Sequence, residues 1–259
     1  MAVEIVLESA ANPLLKGVRK AARGGGLTPD GWALAEGPHL VAEAAASGVE
    51  VRVVLLSESA SQQAEKIARQ SGARIQRVAA SAFEQVTSVE TTQGVLALVR
   101  LPECEPSAVV RRAGLALVLD RLQDPGNVGT ILRSAEAFGA AGVLLTPGSA
   151  ALHHPKTLRA SAGSLFRVPC AVLPGRLAAE LADDAGRTLY AAVPSGGVAL
   201  TEADLGSAVV AIGSEAHGVS ADLLGVATPL TIPTRRVESL NAATAATVIL
   251  YEASRARRV

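Results

Sequence analysis

Residues 115–133 read Leu-Ala-Leu-Val-Leu-Asp-Arg-Leu-Gln-Asp-Pro-Gly-Asn-Val-Gly-Thr-Ile-Leu-Arg, and this stretch decides the fold. The apolar run 115–119 is followed directly by Asp120, a Pro-Gly turn and an amphipathic helix. A strand, a tight turn and a helix in this order are typical of α/β sheets, which bind ligands at the carboxyl ends of their strands. The turn and helix bring an amide, Asn127, and a guanidinium, Arg133, to that end. We interpret Asn127 as the N-cap of the helix.

The same alternation extends over the C-terminal half of the chain. Apolar runs that predict strands lie at 115–119, 142–146, 168–173, 189–193, 209–212 and 230–232. Helical patterns lie at 128–138, 156–162 and 177–182, and a final helix is expected at 241–257. Alternation of this kind predicts a mainly parallel sheet with helices on both faces.

The first hundred residues predict a smaller α/β domain. Strand signals lie at 32–36, 49–56, 74–78 and 94–100, and helix signals at 13–22, 38–46 and 60–70. The stretch 101–112 then breaks the pattern with prolines and charged residues, which suit a linker. We therefore expect an N-terminal domain at 1–105, a linker at 106–113 and a C-terminal domain at 114–259.

Composition excludes several classes of protein. Hydrophobic residues make up 49% of the 259 residues and aromatic residues only 2%, as expected of strands buried under helices. No apolar run is long enough to span a bilayer, and no basic segment precedes the first apolar residues as in a signal peptide. Two isolated cysteines and four scattered histidines show no zinc spacing, so we expect no metal site and a reduced, cytoplasmic setting.

The formal net charge is zero, which argues against a protein coated in positive charge. A local basic patch is nevertheless present, because no acidic residue lies between Glu8 and Asp30. Its members are Lys16, Arg19, Lys20 and Arg23. Charge alone leaves two interpretations open, a solvated helix face and a nucleic-acid contact.

Three further polar clusters follow or precede apolar segments. Gly213-Ser214-Glu215 follows a predicted strand, and Ser239-Leu240-Asn241 precedes the last helix, which Ser239 or Asn241 can cap. A third stretch, residues 156–163, carries Lys156 and Arg159 on a short predicted helix. Each cluster alone is equally compatible with an ordinary capped helix or turn, and a single Gly-x-x-Gly is weak evidence for a nucleotide site.

The order of the clusters is more specific than any one of them. The segments 127–133, 156–163, 212–218 and 232–241 together resemble the SpoU (TrmH-like) RNA ribose methyltransferases of the SPOUT class. The resemblance covers the chain from about Leu115 to the C-terminus. The first domain looks like the N-terminal substrate-binding module of the rRNA-modifying branch, through the segments 12–16, 35–37 and 92–97.

The resemblance implies an α/β sheet whose C-terminal chain threads a loop to form a deep trefoil knot, with a smaller RNA-binding α/β domain before it. It also implies that S-adenosylmethionine binds in the knot without any metal. The positions that match its binding site are Gly213, Ile232 and Leu240, with Thr146 and Pro147 nearby. A homodimer that forms through the catalytic domain is implied as well.

The implied reaction is methyl transfer to a ribose 2′-hydroxyl, with 23S ribosomal RNA as the expected substrate. By resemblance, Arg133 positions the RNA phosphate and Asn127 fixes the local geometry. Glu215, Ser239 and Asn241 would support the arginine and the substrate. The expected RNA contacts are Lys16, Arg19, Lys20, Arg23, Lys156 and Arg159.

Other functions remain open at this point. A tRNA 2′-O-methyltransferase and a non-catalytic RNA- or ribosome-binding relative would share much of the sequence pattern. A dinucleotide-binding oxidoreductase is disfavoured, because the turn at residues 126–129 lacks the full Gly-x-Gly-x-x-Gly pattern.

Overall fold

The computed structural model describes residues 6–89 and 91–256. These residues divide into two compact units. The first unit contains the described residues up to Pro102 and also a later segment, Ala151–Phe166. The second unit contains Glu103–Ala150 and the described residues from Arg167 onward. The helices and strands are, in chain order, α1 (Pro13–Gly24), β1 (Ala33–Glu36), α2 (Pro38–Ala46), β2 (Val51–Ser57), α3 (Gln62–Gln70), β3 (Ile75–Val78), α4 (Ala80–Glu84), β4 (Val95–Val99), α5 (Pro106–Arg111), β5 (Ala116–Asp120), α6 (Pro125–Ala137), β6 (Gly142–Leu145), α7 (Pro155–Ser161), β7 (Cys170–Val172), α8 (Gly175–Asp184), β8 (Leu189–Ala192), β9 (Val198–Ala199), β10 (Val209–Gly213), α9 (Ala221–Leu224), β11 (Thr228–Thr231) and α10 (Ala242–Ala256).

The first unit is built on a four-stranded mixed sheet in the order β1-β4-β2-β3. Strand β4 is antiparallel to both β1 and β2, whereas β2 and β3 are parallel. Alternate strand residues, among them Leu34, Leu55 and Leu96, form one core cluster with apolar residues of α1 and α4. The strand residues of opposite parity are also buried, and α2 and α3 pack on that second face.

Helix α7 belongs to this first unit, although the chain reaches it only after β6. It packs against β1. Two glycines of the unit allow the close approach of the 151–166 segment. A Cβ atom at Gly26 would lie 2.0 Å from the carbonyl oxygen of His153, and one at Gly163 would lie 2.6 Å from the Cβ atom of Glu43. The segment is therefore fitted closely to its neighbours at both ends.

The second unit contains a seven-stranded sheet in the order β7-β6-β5-β10-β8-β11-β9, with every neighbouring pair parallel. Helices α5, α8 and α9 share one core cluster with alternate strand residues such as Val118, Leu144 and Ala211. Helices α6 and α10 pack against each other, and they contact β6 and β10. The ring of Phe138, which directly follows α6, meets the ring of Tyr251 on α10 edge to face at 5.7 Å.

The predicted α/β class and the mainly parallel sheet are confirmed, and each strand predicted in the C-terminal half corresponds to an observed strand. Threading of the C-terminal chain into a knot stays a prediction. The segment expected to be a linker contains the helix α5, whose Val109 and Val110 are buried in the core of the second unit. The domain boundaries proposed from sequence remain predictions.

One detail of the opening stretch was wrong. Asn127 is not the N-cap of α6, because the helix begins at Pro125 and Asp124 is its cap. The carboxylate of Asp124 accepts a hydrogen bond from the backbone N–H of Asn127 at 2.9 Å. Proline suits the first helical position, which requires no N–H donor, and the cap therefore falls on the residue before it.

Within residues 6–89 and 91–256, no helix is both long enough and apolar enough to cross a membrane.

Candidate active site

The polar clusters of the second unit converge at one point of its sheet, between β5 and β10. From β5 the chain first adds β6 and β7 on one side of this strand. The later strands β8, β9, β10 and β11 all lie on its other side, with β10 next to β5. A parallel sheet opens a crevice where its strand order reverses in this way, at the carboxyl ends of the strands. Asp120 and Gly213, the last residues of these two strands, are paired in register at this point.

A cavity of about 630 Å³ lies at this edge of the sheet. Its walls come from the ends of β8, β10 and β11, from the loops that follow them and from the start of α10. The residues that line it are Ala192, Val193, Pro194, Ile212, Gly213, Ser214, Glu215, Ala216, His217, Gly218, Val219, Leu224, Leu230, Ile232, Thr234, Glu238, Ser239, Leu240, Asn241, Ala242 and Ala245. The predicted cofactor positions Gly213, Ile232 and Leu240 are therefore brought together.

Gly213 is required by the tight turn that forms one wall of this cavity. The backbone N–H of Gly218 donates to the carbonyl of Ser214 at 2.8 Å and closes the turn. A Cβ atom at Gly213 would lie 2.0 Å from the carbonyl carbon of Gly218, which is backbone and has no room to move aside. Any larger residue would open the turn and displace Glu215, which it carries.

Three of the predicted catalytic side chains form a continuous hydrogen-bonded chain. The amide nitrogen of Asn127, on α6, donates to Oε1 of Glu215. Asn241 donates through Nδ2 to Oδ1 of Asn127 at 3.4 Å. The oxygen of Asn241 in turn accepts from the backbone N–H groups of Ala243 and Thr244, at 2.9 and 3.3 Å. Asn241, one of the two caps that the sequence allowed, thus caps α10 and holds Asn127 at the same time.

The two other predicted catalytic residues occupy different places. Ser239 is exposed and lines the cavity. Arg133 lies further along α6 and is exposed. Glu136, the neighbour that could have neutralised it, instead pairs with Arg167, with an Nη2–Oε2 distance of 3.1 Å. Among the described residues, the guanidinium of Arg133 has no ion-pair or hydrogen-bond partner, so it is available to an anion.

The two remaining cofactor positions, Thr146 and Pro147, do not line the cavity. The hydroxyl of Thr146 is buried and donates to Oδ1 of Asp120 at 2.9 Å. The other carboxylate oxygen of Asp120 accepts from the backbone N–H of Ser220 at 2.7 Å. Asp120 therefore links the loops that follow β6 and β10. Sequence reasoning missed this role, although a carboxylate directly after a buried strand is a signal that could have found it.

The predicted basic patch lies on α1 of the first unit. Lys16 and Lys20, one turn apart, line a groove of about 420 Å³ together with Arg52 and Asp30. Arg52 forms an ion pair with Asp30 and thereby holds the pKa of that carboxyl below its usual range. Arg52 was missed because it lies inside a predicted strand. Arg19 and Arg23, also on α1, do not line the groove.

The two α7 residues that were expected to bind RNA differ in their surroundings. Lys156 is exposed. Arg159 instead donates through Nη1 to the hydroxyl of Ser88 at 2.6 Å and lies 3.8 Å from the buried carboxylate of Glu36. Ser88 donates to the same carboxylate through its hydroxyl and its N–H group. Arg159 thus anchors α7 to the first unit.

His154 caps α7, because its Nδ1 accepts a hydrogen bond from the backbone N–H of Lys156 at 3.1 Å. Burial, followed by the charges of Arg159 and Lys156, lowers the pKa of His154. Burial, followed by the charge of His154, likewise lowers the pKa of the neighbouring His153. Both rings therefore favour the neutral form, which for His154 is the form that can accept the hydrogen bond of the cap.

Comparisons with known proteins show the family to which this chain belongs. The sequence profile of the SpoU rRNA Methylase family matches residues 114–251. The profile of the MRM3-like substrate binding domain matches residues 14–97. The chain is 36% identical over 259 aligned positions to an uncharacterized tRNA/rRNA methyltransferase of Synechocystis, covering 96% of this chain and 93% of that protein.

A second relative is the 23S rRNA (guanosine(2553)-2′-O)-methyltransferase RlmP of Bacillus subtilis, which is 33% identical over 95% of this chain and 97% of its own length. Among solved structures, the AdoMet-bound rRNA methyltransferase of Sinorhizobium meliloti superposes with a TM-score of 0.83. That match is 27% identical in sequence and covers 97% of this chain and 98% of the other. The chain belongs to the SpoU rRNA methylase family, with an N-terminal substrate-binding domain of the MRM3-like type.

Proposed function

We propose that this protein transfers a methyl group from S-adenosylmethionine to a ribose 2′-hydroxyl of RNA, with 23S ribosomal RNA as the substrate. The observation that carries the proposal is the hydrogen-bonded chain Asn241–Asn127–Glu215 beside a cavity walled by Gly213, Ile232 and Leu240. The site of a substrate oxygen and the site of a cofactor then lie next to each other at one edge of the sheet.

The cavity suits S-adenosylmethionine in size and chemistry. About 630 Å³ is in the range of small-molecule sites, and the walls are largely apolar side chains and backbone of strand ends. Apolar walls with free backbone groups can hold an adenine face and edge. Two carboxylates, Glu215 and Glu238, also line the cavity and favour a guest that carries a positive charge. When bound, this cofactor supplies an electrophilic methyl group.

The residues of the chain supply alignment and charge. Arginine keeps its proton at any ordinary pH, so Arg133 acts as a fixed cation and not as a base. We assign it to the phosphate of the target nucleotide and to the negative charge that develops on the attacking oxygen. Asn127 and Asn241 hold Glu215 in one orientation, and Ser239 contributes a hydroxyl at the cavity wall. Fixed orientation of this kind is what an in-line displacement requires.

We assign RNA recognition to the first unit. Lys16 and Lys20 present two ammonium groups at the α1 groove, and Arg19 and Arg23 extend the positive charge along the helix. Lys156 adds an exposed cation. The part that we give to Arg159 is to position α7, since its guanidinium is already bound by Ser88 and Glu36.

The assembly that we propose is a homodimer through the methyltransferase unit, in the cytoplasm where ribosomal RNA is made. Helices α6 and α10 pack side by side in that unit, and Tyr251 of α10 is 52% exposed despite its large apolar ring. Light scattering of the purified protein measures the mass of the particle, and a monomer at micromolar concentration would contradict the dimer.

The deciding experiment maps 2′-O-methyl groups in ribosomal RNA from cells with and without the gene. We expect one ribose of 23S rRNA to lose its methyl group in the deletion strain and to regain it when purified protein and S-adenosylmethionine are added. A methyl group lost from tRNA would correct the substrate. The absence of methyl transfer to either RNA would leave a non-catalytic RNA binder.

A further inference from the structure

Arg121 has a backbone conformation that arginine rarely adopts. Its φ angle is +54°, in the left-handed region that glycine and asparagine tolerate and other side chains resist. In the described residues, Ala162 is the other non-glycine residue with positive φ. Ala162 directly follows the last residue of α7, where a left-handed residue commonly ends a helix. Arg121 instead lies between the end of β5 and the start of α6, so the ending of a helix does not explain its positive φ angle.

Hydrogen bonds to two side-chain hydroxyls hold Arg121 in this conformation. Its backbone N–H donates to the hydroxyl of Thr146 at 2.9 Å, and that hydroxyl donates to Asp120. The next N–H, that of Leu122, donates to the hydroxyl of Ser149 at 3.1 Å. The loop is therefore fixed on both sides of the unfavourable residue. Backbone strain that the surroundings enforce in this way is most common at functional sites.

The conformation presents a cation at the carboxyl edge of the sheet. The side chain of Arg121 is 46% exposed, with its Nε atom 3.8 Å from Oδ1 of Asp120. That carboxylate already accepts hydrogen bonds from Thr146 and Ser220, so it does not saturate the guanidinium. Within the described ranges, the Nη1 and Nη2 atoms of Arg121 have no hydrogen-bond partner.

The location ties this cation to the proposed reaction. Arg121 directly follows Asp120, which is paired in register with the cavity residue Gly213. It also precedes α6, which carries both Asn127 and Arg133. The strand order reverses at this point of the sheet, where a bound substrate is expected.

We propose that Arg121 binds a backbone phosphate of the substrate RNA at the methyltransferase unit, as a second guanidinium in addition to Arg133. The inference rests on the proposed function and adds a contact to it. A planar guanidinium with two free terminal nitrogens matches a phosphate bidentately, which explains why an arginine is present where the backbone favours glycine or asparagine.

Two substitutions separate the guanidinium from the fold. Arg121→Asn and Arg121→Gly both suit a left-handed residue, so we expect a higher melting temperature than that of the wild type. We expect the affinity for an unmodified 23S rRNA transcript to fall about tenfold, the usual cost of a hydrogen bond to a charged group. The slope of log K against log salt should decrease by about 0.7, as for one lost phosphate contact on a single strand. Arg121→Lys keeps the charge and should fall between wild type and Arg121→Asn.

Arg176→Asn is the matched control, because it removes an arginine whose side chain is 87% exposed on α8 of the same unit. It should change neither the RNA affinity nor the salt slope. Calorimetric titration with S-adenosylmethionine should give the same Kd for wild type and all these variants.

A stabilised Arg121→Asn with unchanged RNA affinity and salt slope would overturn the proposal, since the arginine would then be merely tolerated. A lower melting temperature in both Arg121→Asn and Arg121→Gly would overturn it as well, because the guanidinium would then support the fold. The proposed function fails separately, if the wild type binds the transcript and S-adenosylmethionine but transfers no methyl group. Loss of affinity in Arg121→Asn would still support the phosphate contact in that case.

Discussion

Asn127 and Glu215 are 88 residues apart in the chain, and the amide of the first donates a hydrogen bond to the carboxylate of the second. The contact joins the first turn of α6 to the loop that follows β10. It fixes the orientation of a carboxylate that lines the cavity, and within the described part of the chain the other oxygen of Glu215 has no hydrogen-bond partner. The proposed chemistry depends on this pair, so the contact can be tested by exchanging the amide of Asn127 and the carboxylate of Glu215.

Exchange of the amide and the carboxylate between positions 127 and 215 should restore part of the methyl-transfer activity that the single substitution Asn127→Asp removes. Asn127→Asp places two carboxylates in contact, and their repulsion should lower kcat by about tenfold or more. Combining Asn127→Asp with Glu215→Gln restores one amide and one carboxylate with the roles reversed. We expect the double variant to be more active than Asn127→Asp alone, as measured by transfer of tritiated methyl groups to 23S rRNA. If the loss of kcat in the double variant equals the product of the losses in Asn127→Asp and in Glu215→Gln, the two residues are not coupled.

Arg133→Ala should abolish most of the turnover while leaving cofactor binding intact. The guanidinium has no partner within the described part of the chain, so its removal costs the fold little and acts on the RNA. We expect kcat to fall by about 100-fold or more, as when a donor to a developing negative charge is lost. S-adenosylmethionine should bind with the same Kd in a calorimetric titration. Full activity of Arg133→Ala would refute the role that we give to this residue.

The α1 groove predicts a gain of function. Asp30 is the carboxylate among the groove residues, and it pairs with Arg52. Asp30→Asn removes a negative charge and frees Arg52, so RNA affinity should rise about threefold at low salt. The double variant Lys16→Ala with Lys20→Ala should reduce the salt slope by about 1.4, the sum of two phosphate contacts.

The control for this groove lies on the other face of the same sheet. Lys66 and Arg69 are exposed on α3, so their joint replacement by alanine removes the same charge without touching α1. An equal loss of RNA affinity in both double variants would show that net charge, and not the groove, determines binding.

Protein stability should decrease as the pH falls below about 6.5, the ordinary pKa of histidine. His153 and His154 both have lowered pKa values in the folded protein. The unfolded chain therefore binds more protons than the folded one at mildly acidic pH, and protonation favours unfolding. The melting temperature between pH 8 and pH 5 measures this effect.

His154→Asn should flatten the same curve, because asparagine keeps a capping acceptor for α7 and carries no titrating group. His39→Asn is the matched control, since His39 is exposed on α2. Equal slopes for the wild type and His154→Asn would exclude the cap as a source of the pH dependence.

Periodicity was sufficient to predict most of the fold. Strands β5 and β10 are continuous apolar runs, and their alternation with helices was enough to predict a parallel sheet. Helix α5 was missed because two prolines and two glutamates precede or begin it. Its buried residues, Val109 and Val110, are the only signal in the segment 101–112 that indicates a helix packed on a core. The cap at Asp124 could have been found, because Pro125 marks the first helical position.

The candidate site was predictable as a set of residues but not as a geometry. The order of the motifs placed Asn127, Glu215 and Asn241 in one family pattern, yet the hydrogen bonds between them join distant parts of the chain. Arg159 illustrates the limit. Its spacing on a helix indicates a surface cation, whereas its partner Ser88 lies 71 residues earlier in the sequence. The backbone angle of Arg121 leaves no local signal at all.

Membership of α7 in the first unit has a consequence for biosynthesis. A ribosome releases residues 33–36, which form β1, long before it releases the helix that packs on this strand. That surface of β1 therefore stays uncovered until α5, β5, α6 and β6 have also been translated. Shortening the chain after Pro102 would leave the same surface open permanently. The substrate-binding unit is thus the first to be translated, but the chain must extend to about Phe166 before that unit can finish folding.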